Sequence, residues 1–114
     1  TSVNLDVSSF NAVLKRVTVV APSNSAVRFD VDTDANTLTL SAYSSDQDQA
    51  SETIETAVEG TNCMVGFNYS YIFGCLNVLG HEKEITLELT EGRPGVFKSY
   101  DKINYIYLVM PVRV

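Results

Sequence analysis

Three aspartates at alternate positions, Asp30, Asp32 and Asp34, are the residues whose type and spacing most directly suggest metal chemistry. Carboxylate oxygens are preferred ligands of Ca²⁺, and the EF-hand loop opens with this alternation. Such a loop also needs Gly at its sixth position and Glu at its twelfth, where this chain has Ala35 and Ser41. The pattern instead fits the solvent face of a strand that runs into a turn, so no metal site is expected here.

The other reactive residue types are too few to build an active site. His81 is the only histidine, and we expect neither a zinc cluster nor a Ser-His-Asp triad to be built around it. Cys63 and Cys75 lie far apart, and we expect buried thiols in a reducing compartment, with a disulfide as the alternative. The segment Asn68-Tyr69-Ser70 is a formal glycosylation sequence, but a helix cap explains it better in a cytoplasmic protein.

Lys15 and Arg16 form the basic pair most suited to contact a nucleic acid. They stand at the end of a predicted helix, where they would either face duplex DNA or lie in solvent and favour the helix dipole. The formal net charge of −6 argues against a protein that grips DNA by neutralising many phosphates. It leaves open a protein that surrounds DNA while touching it lightly.

Size and composition indicate one folded domain. The 114 residues are 45% hydrophobic and 19% charged, which is ordinary for a globular protein with its own core. Nothing approaches the roughly 18 consecutive apolar residues of a membrane span, and no signal-peptide pattern opens the chain. Because it begins at Thr1, we expect a processed form or a piece of a longer protein.

The first half of the sequence predicts one strand, one helix and three further strands. Alternating apolar residues indicate a strand over residues 3–7, and a 3.6-residue stripe indicates a helix over residues 9–19. Ser8 and Ser9 are its candidate caps, and Pro22 is expected to end it. The three strands that follow are predicted at residues 26–32, 37–43 and 49–59, the last as an exposed edge.

The second half repeats the same order. A strand is predicted at residues 63–67, a helix at 71–79 with Asn68 and Ser70 as cap candidates, and strands at 84–89, 96–100 and 103–110. The two halves are offset by roughly 60 residues, which is the signature of an internal repeat. The expected fold is therefore α+β, with a doubled β-α-β-β-β order and two helices on one face of antiparallel sheets.

The final segment, residues 104–114, is a β-branched and aromatic run that breaks at Pro111 and closes on Arg113 and Val114. We expect such a tail to line a groove or to pack on a neighbour, because chain ends are usually polar and frayed. Tyr71 and Met110 would then belong to that groove, with plain core packing as the alternative.

The tail string of residues 107–114, Tyr-Leu-Val-Met-Pro-Val-Arg-Val, resembles the end of the bacterial DNA sliding clamp, the β subunit of DNA polymerase III. The string at residues 65–72, Val-Gly-Phe-Asn-Tyr-Ser-Tyr-Ile, and the acidic stretch at residues 46–52 resemble further segments of that family. The resemblance covers nearly the whole chain and corresponds to the third, C-terminal domain of the clamp protein.

This resemblance implies a DNA-clamp domain fold and a processivity factor that is not an enzyme and has no cofactor. In the family, two protomers close into a ring around duplex DNA, with few direct contacts, and tether the polymerase. The implied partners are the polymerase, the clamp loader and other replication and repair proteins, bound through short linear motifs. The full-length clamp would be a cytoplasmic homodimer, without a membrane partner.

The resemblance also assigns roles to residues of this chain. The third-domain wall of the peptide-binding cleft would comprise Asn68, Tyr71, Leu108, Val109, Met110, Pro111, Val112 and Arg113. Two positions depart from the family pattern: Arg93 places a charge at the cleft mouth, and Val112 makes the groove shallower. Val19 and Val20 would form the ring contact. Lys15 and Arg16 are the candidates to face DNA, with a solvated helix end as the alternative.

Two other functions compete with the ring-forming clamp. One is a free-standing protein-interaction module, such as a phage or plasmid clamp relative, that binds peptides without encircling DNA. Two further β-α-β-β-β pairs upstream of Thr1 would distinguish the clamp from that module. The other, a small hydrolase, needs a catalytic constellation that one histidine without a Gly-x-Ser-x-Gly sequence does not supply.

Overall fold

The computed structural model describes residues 1–21, 25–43, 49–79, 83–99 and 105–112. In the first half these residues form β1 (Ser2–Asp6), α1 (Val7–Val17), a 3₁₀ turn (Thr18–Val20), β2 (Ala26–Asp32), β3 (Thr37–Tyr43), β4 (Gln49–Glu55) and β5 (Val58–Glu59). In the second half they form β6 (Cys63–Asn68), α2 (Tyr69–Leu79), β7 (Glu84–Glu88), β8 (Gly95–Ser99), β9 (Tyr105–Val109) and β10 (Pro111–Val112).

The strands make two antiparallel sheets of five strands each. Sheet one has the order β5-β1-β7-β8-β9, and sheet two has the order β10-β6-β2-β3-β4. The first strand of each half therefore lies in the sheet built mainly by the other half, as the pairs Val3–Leu87 and Phe29–Val65 illustrate. The predicted α+β architecture with its doubled order is confirmed, and this exchange of strands holds the two halves together.

The predicted strand at residues 49–59 is wrong in its extent. The chain leaves sheet two at Glu55 and joins sheet one at Val58, which pairs with Val3. Val58 is 8% exposed, whereas Glu55 and Ala57 are exposed, so the one large apolar residue after the break is the one that is buried. Burial of this valine beside β1 explains why the strand divides.

Both helices begin two residues earlier than predicted. Helix α1 starts at Val7, and its cap is Asp6, whose Oδ2 accepts a hydrogen bond from the Ser9 backbone N–H at 3.0 Å. The predicted Ser8 and Ser9 caps are therefore wrong, because Val7 is buried on the helix and the carboxylate before it is the better acceptor. Helix α2 starts at Tyr69. Helix α1 ends at Val17, and Pro22, which was expected to end it, lies outside the described residues.

The cap prediction for α2 is correct at Asn68 and incorrect at Ser70. Asn68 Oδ1 accepts a hydrogen bond from the Ser70 backbone N–H at 2.9 Å, while Ser70 itself lies inside the helix. The final strand was predicted to break at Pro111. It ends at Val109, and Pro111 begins a new strand, β10, opposite Phe67. A proline is tolerated there since β10 is an edge strand.

Four buried phenylalanines connect helix α1 and both sheets into one core. The ring of Phe10, on α1, lies 6.0 Å from that of Phe29 in sheet two and 6.5 Å from that of Phe97 in sheet one. Phe29 in turn packs edge-on against Phe67 at 5.2 Å, a favoured aromatic geometry. Because these contacts join both sheets through one helix, a shift of either sheet would disturb the whole core.

Cys63 and Cys75 are free and buried, as predicted for structural thiols. Burial raises the pKa of the Cys75 thiol to about 12 and also raises that of Cys63, so both thiols stay protonated at neutral pH. Across the part of the chain that the structure describes, neither helix has the length and apolar character to cross a membrane.

Candidate protein-binding site

The end of the chain crosses from sheet one to sheet two. Val109 is the last residue of β9 and pairs with Gly95, whereas Pro111 opens β10 opposite Phe67. A Cβ atom on Gly95 would lie only 2.6 Å from Cζ of the Phe67 ring. The two sheets therefore touch directly beneath the crossing, where only a residue without a side chain fits.

The crossing presents apolar side chains to solvent instead of burying them. Leu108 is 62% exposed, Met110 is 66% exposed and Val112 is 41% exposed, while Val109 between them is 2% exposed. Alternation along an extended chain puts Val109 into the core and its neighbours outside. Val109 thus supports this surface from beneath, and Pro111 is half-buried.

Helix α2 adds an aromatic side chain at the same end of β6. The Tyr69 N–H donates to the Ser25 carbonyl at 3.0 Å, and the Asn68 cap holds the first turn in place. Tyr71, in that first turn, is 59% exposed. We call Tyr71, Leu108, Met110 and Val112 the tail patch. Single exposed apolar residues are ordinary, but four on adjoining segments indicate a surface suited to a partner.

Helix α2 also packs on strand β9, which carries part of the tail patch. A Cβ on Gly74 would lie 3.4 Å from the hydroxyl oxygen of Tyr107, so this helical glycine lets the tyrosine approach closely. Tyr69 and Phe73 pack edge-on at 5.9 Å and stiffen the first turn of α2. The helix and the strand that carry the patch are therefore fixed relative to each other.

Arg93 lies just beyond the end of the β8–β9 ladder. The ladder pairs Val96 with Leu108 and ends at Gly95 opposite Val109. Arg93 is two residues further along, in the direction in which the tail continues past Val109, and it is exposed. Its backbone N–H donates to the Thr90 carbonyl at 3.1 Å. Arg113, the other cation predicted for the cleft, lies outside the described residues.

The two basic residues of α1 differ in their surroundings. The Arg16 guanidinium donates two hydrogen bonds to the Glu52 carboxylate of β4, at 2.7 Å and 2.8 Å. These bonds lower the pKa of Glu52 and raise that of Arg16. Lys15 is exposed beside this pair. The arrangement leaves Lys15 as the more available cation of the two.

The residues predicted for ring closure lie in the turn that follows α1. Val19, in the 3₁₀ turn, is 81% exposed, the largest exposure among the large apolar side chains of the described residues. Val20 ends the same turn, and its side chain lies outside the described part. The turn packs near β4, which is one edge strand of sheet two, whereas β10 is the other. Val19 and the tail patch are therefore separate surfaces.

The alternate aspartates serve the turn and an ion pair. Asp32 Oδ1 accepts hydrogen bonds from the backbone N–H groups of Asp34 at 3.0 Å and Ala35 at 3.1 Å. Asp30 pairs with Arg28 at 2.9 Å. A polar hollow of about 450 Å³ lies next to them, and none of the tail patch lines it. Among the described residues no group of three metal-ligating side chains is placed to hold an ion.

Two features of the site were missed by the sequence reasoning. Gly95 beneath the crossing carries no local signal, because its role depends on a ring from β6, in the other sheet. Ile106 is 61% exposed, on the same side of β9 as Leu108. Its position two residues before Leu108 on a strand was the available signal for that exposure.

Comparison with known proteins gives a consistent family. The family described as "DNA polymerase III beta subunit, C-terminal domain" matches residues 1–113. The beta sliding clamp of Streptomyces coelicolor is 32% identical over 117 aligned residues, which cover 96% of this chain and 30% of that protein. The chain thus spans about 30% of the length of this relative.

Solved structures show the same fold. The DNA polymerase III beta subunit of Thermotoga maritima matches with a TM-score of 0.88 and 26% identity, over 99% of this chain and 30% of that one. A sliding clamp from Pseudomonas aeruginosa bound to griselimycin matches with a TM-score of 0.89 and 23% identity, over 99% of this chain and 30% of that one. At 23% identity the second likeness concerns the fold alone.

Proposed function

The chain belongs to the family of C-terminal domains of the DNA polymerase III beta protein, and from that premise we propose that it works as the third domain of a ring-shaped sliding clamp. In this role it is a non-catalytic processivity factor: the ring encircles duplex DNA and tethers the polymerase. The reducing cytoplasm is the compartment that fits two free, buried thiols.

The tail patch is the proposed docking surface for polymerase, clamp loader and repair proteins. The observation that carries this is the exposure of Leu108, Met110 and Val112 on a segment that crosses between two sheets above a tightly packed base. Apolar anchors of a short linear motif would cover these side chains, and a flexible methionine adapts to several anchors. Tyr71 and Asn68 would form the helix side of the cleft, and Arg113 its end.

Ring closure is proposed at the other surface, through Val19 and Val20. Val19 is 81% exposed beside a sheet edge, and a neighbouring domain that docks on this edge would cover it. Edge strand β4 offers its unpaired backbone groups to the same neighbour. Two copies of the full-length protein would then form the ring.

DNA contact by this domain is proposed to be slight. Lys15 is the cation best placed to approach a phosphate, because Glu52 already holds the Arg16 guanidinium. Helix α2 contains no Lys or Arg. An acidic chain of net charge −6 suits a ring that slides on DNA without gripping it.

Peptide affinity tests the docking surface directly. We expect a fluorescent peptide of the Gln-x-x-Leu-x-Phe type to bind the full-length protein that carries this chain. Met110→Ala should weaken binding about 10-fold or more, the effect of losing a hot-spot anchor.

The matched control is Met64→Ala, which removes the same side chain from β6, where it is 44% exposed and outside the tail patch. We expect unchanged affinity for this variant. Equal affinity of the parent protein and Met110→Ala would contradict the proposed docking surface.

A further inference from the structure

We propose that Arg93 determines the specificity of the tail patch, so that the preferred partner peptides carry a carboxylate next to their apolar anchors. This inference rests on the proposed docking function and names the class of peptide that the same surface selects.

The position of Arg93 follows from strand register. Gly95 pairs with Val109 and nearly touches the Phe67 ring, which lies opposite Pro111. Two residues span at most about 7 Å, so the Arg93 backbone stays within that distance of Gly95, which lies beneath the crossing. A guanidinium on a long flexible stem can therefore reach a peptide group lying on Met110 or its neighbours.

The charge of Arg93 is available for a partner. Arg16, Arg28 and Lys98 each lie 2.7–2.9 Å from a carboxylate of their own strand or a neighbouring element. Within the described residues no such ion pair involves Arg93, although the chain has 14 acidic residues. Its exposed guanidinium is thus a donor fork that matches a carboxylate geometry.

The surroundings make this charge decisive over short distances. All four tail-patch side chains are uncharged, and Arg93 is an exposed cation just beyond the ladder that carries Leu108. The other described cation on this ladder, Lys98, lies opposite Ile106 and pairs with Glu88 at 2.8 Å. The nearest acidic residue in sequence, Glu91, directs Oε1 at the Met64 backbone N–H, 3.4 Å away. The net charge of −6 repels acidic peptides in general, but salt screens that repulsion beyond about 8 Å.

Two synthetic peptides test the proposal on the full-length protein. Both carry the same Leu and Phe anchors; one has Glu residues on either side of the anchors and the other has Gln in their place. We expect the Glu peptide to bind about 3-fold more tightly, the scale of an exposed ion pair. Arg93→Gln should remove this difference, and Arg93→Glu should reverse it. At 1 M salt the difference should vanish, since the screening length falls to about 3 Å.

The matched control is Lys83→Gln, which removes an exposed cation just before β7, at the opposite end of sheet one from Gly95. The Glu preference should persist in this variant. Equal binding of both peptides by the parent protein, with Met110→Ala still weakening both, would overturn the role of Arg93 and leave the docking surface intact. Loss of the preference in both Lys83→Gln and Arg93→Gln would also overturn it, because a diffuse charge effect would then suffice.

Discussion

The chain crosses between its two sheets after the last long strand of each half, and these two crossings differ in what they leave exposed. The first crossing runs from Glu55 in sheet two to Val58 in sheet one, and the second runs from Val109 in sheet one to Pro111 in sheet two. Equivalent topology therefore creates two candidate corners on the same domain.

The first crossing is closed by hydrogen bonds. The Thr56 N–H donates to the Asn36 carbonyl at 3.0 Å, and its hydroxyl donates to the carbonyl of Asn4. The Asn4 N–H donates to the Ala57 carbonyl at 3.1 Å, and Val58 is buried. Backbone and side-chain groups of this corner thus find their partners within the domain.

The second crossing buries only Val109 and leaves Leu108, Met110 and Val112 exposed. Topology alone therefore does not make a binding surface. The side chains on the crossing decide whether the corner is closed by contacts within the domain or presents an apolar surface to a partner.

The largest contrast between the corners should come from changing the side chain at the base of each. Gly95→Ala places a Cβ against the fully buried Phe67 ring and should lower the free energy of unfolding by about 3 kcal/mol, the upper range for overpacking. Thr37 holds the matching position, opposite Glu55 at the end of β4. Thr37→Ala should cost about 0.5 kcal/mol or less. Urea unfolding measures the free energy of unfolding of both variants. Equal losses in the two variants would show that the two corners are packed equally tightly at their bases.

Adjacent residues of the second crossing should separate stability from binding. Val109→Ala empties a core position and should lower the free energy of unfolding by about 2 kcal/mol. Met110→Ala removes an exposed side chain and should change it by about 0.5 kcal/mol or less. Thermal and urea unfolding compare the two. A larger loss for Met110→Ala would mean that its side chain belongs to the core and not to a docking surface.

Low pH should weaken the fold through two carboxylates of its first half, with the smallest effect of the three. The Ser9 hydrogen bonds lower the pKa of Asp6 from 3.8, and the Arg16 hydrogen bonds lower that of Glu52 from 4.5. A carboxyl group whose pKa is lowered in the folded state stabilises the fold at pH values above its ordinary pKa. This stabilisation is lost as the pH falls through the lowered pKa of the folded state. Unfolding free energy should therefore decline below about pH 4.5.

Substitutions that keep shape but remove titration provide the control. Asp6→Asn and Glu52→Gln should flatten this decline, as measured by urea unfolding at pH 7 and pH 3. The cap of α2 is already the non-titrating Asn68, so no comparable acid sensitivity is expected there. An unchanged pH dependence in the double variant would refute this assignment to the first half.

The sequence predicted the parts of the fold that depend on local periodicity. Both helices, the doubled order and the strands over Ala26–Asp32 and Thr37–Tyr43 follow from alternation and the 3.6-residue stripe. The division of residues 49–59 did not, because the burial of Val58 depends on β1, more than fifty residues away in sequence. Strand partners at that distance leave no trace in a short window.

The candidate site shows the same limit. The tail string predicted the candidate residues, and alternation explains why Val109 and Met110 face opposite sides. The tight base at Gly95 and the Arg16–Glu52 pair depend on contacts between the two sheets or between a helix and an edge strand. Neither contact is encoded by spacing along the chain.

An NMR titration tests the difference between the two crossings most directly. Isotope-labelled full-length protein would be titrated with the Gln-x-x-Leu-x-Phe peptide while backbone amide shifts are followed. We predict that shift changes concentrate at Asn68, Tyr71 and residues 108–112, leave residues 56–58 unmoved, and disappear in Met110→Ala. Shift changes centred on residues 56–58, or unaffected by Met110→Ala, would contradict the assignment of the second crossing as the docking surface.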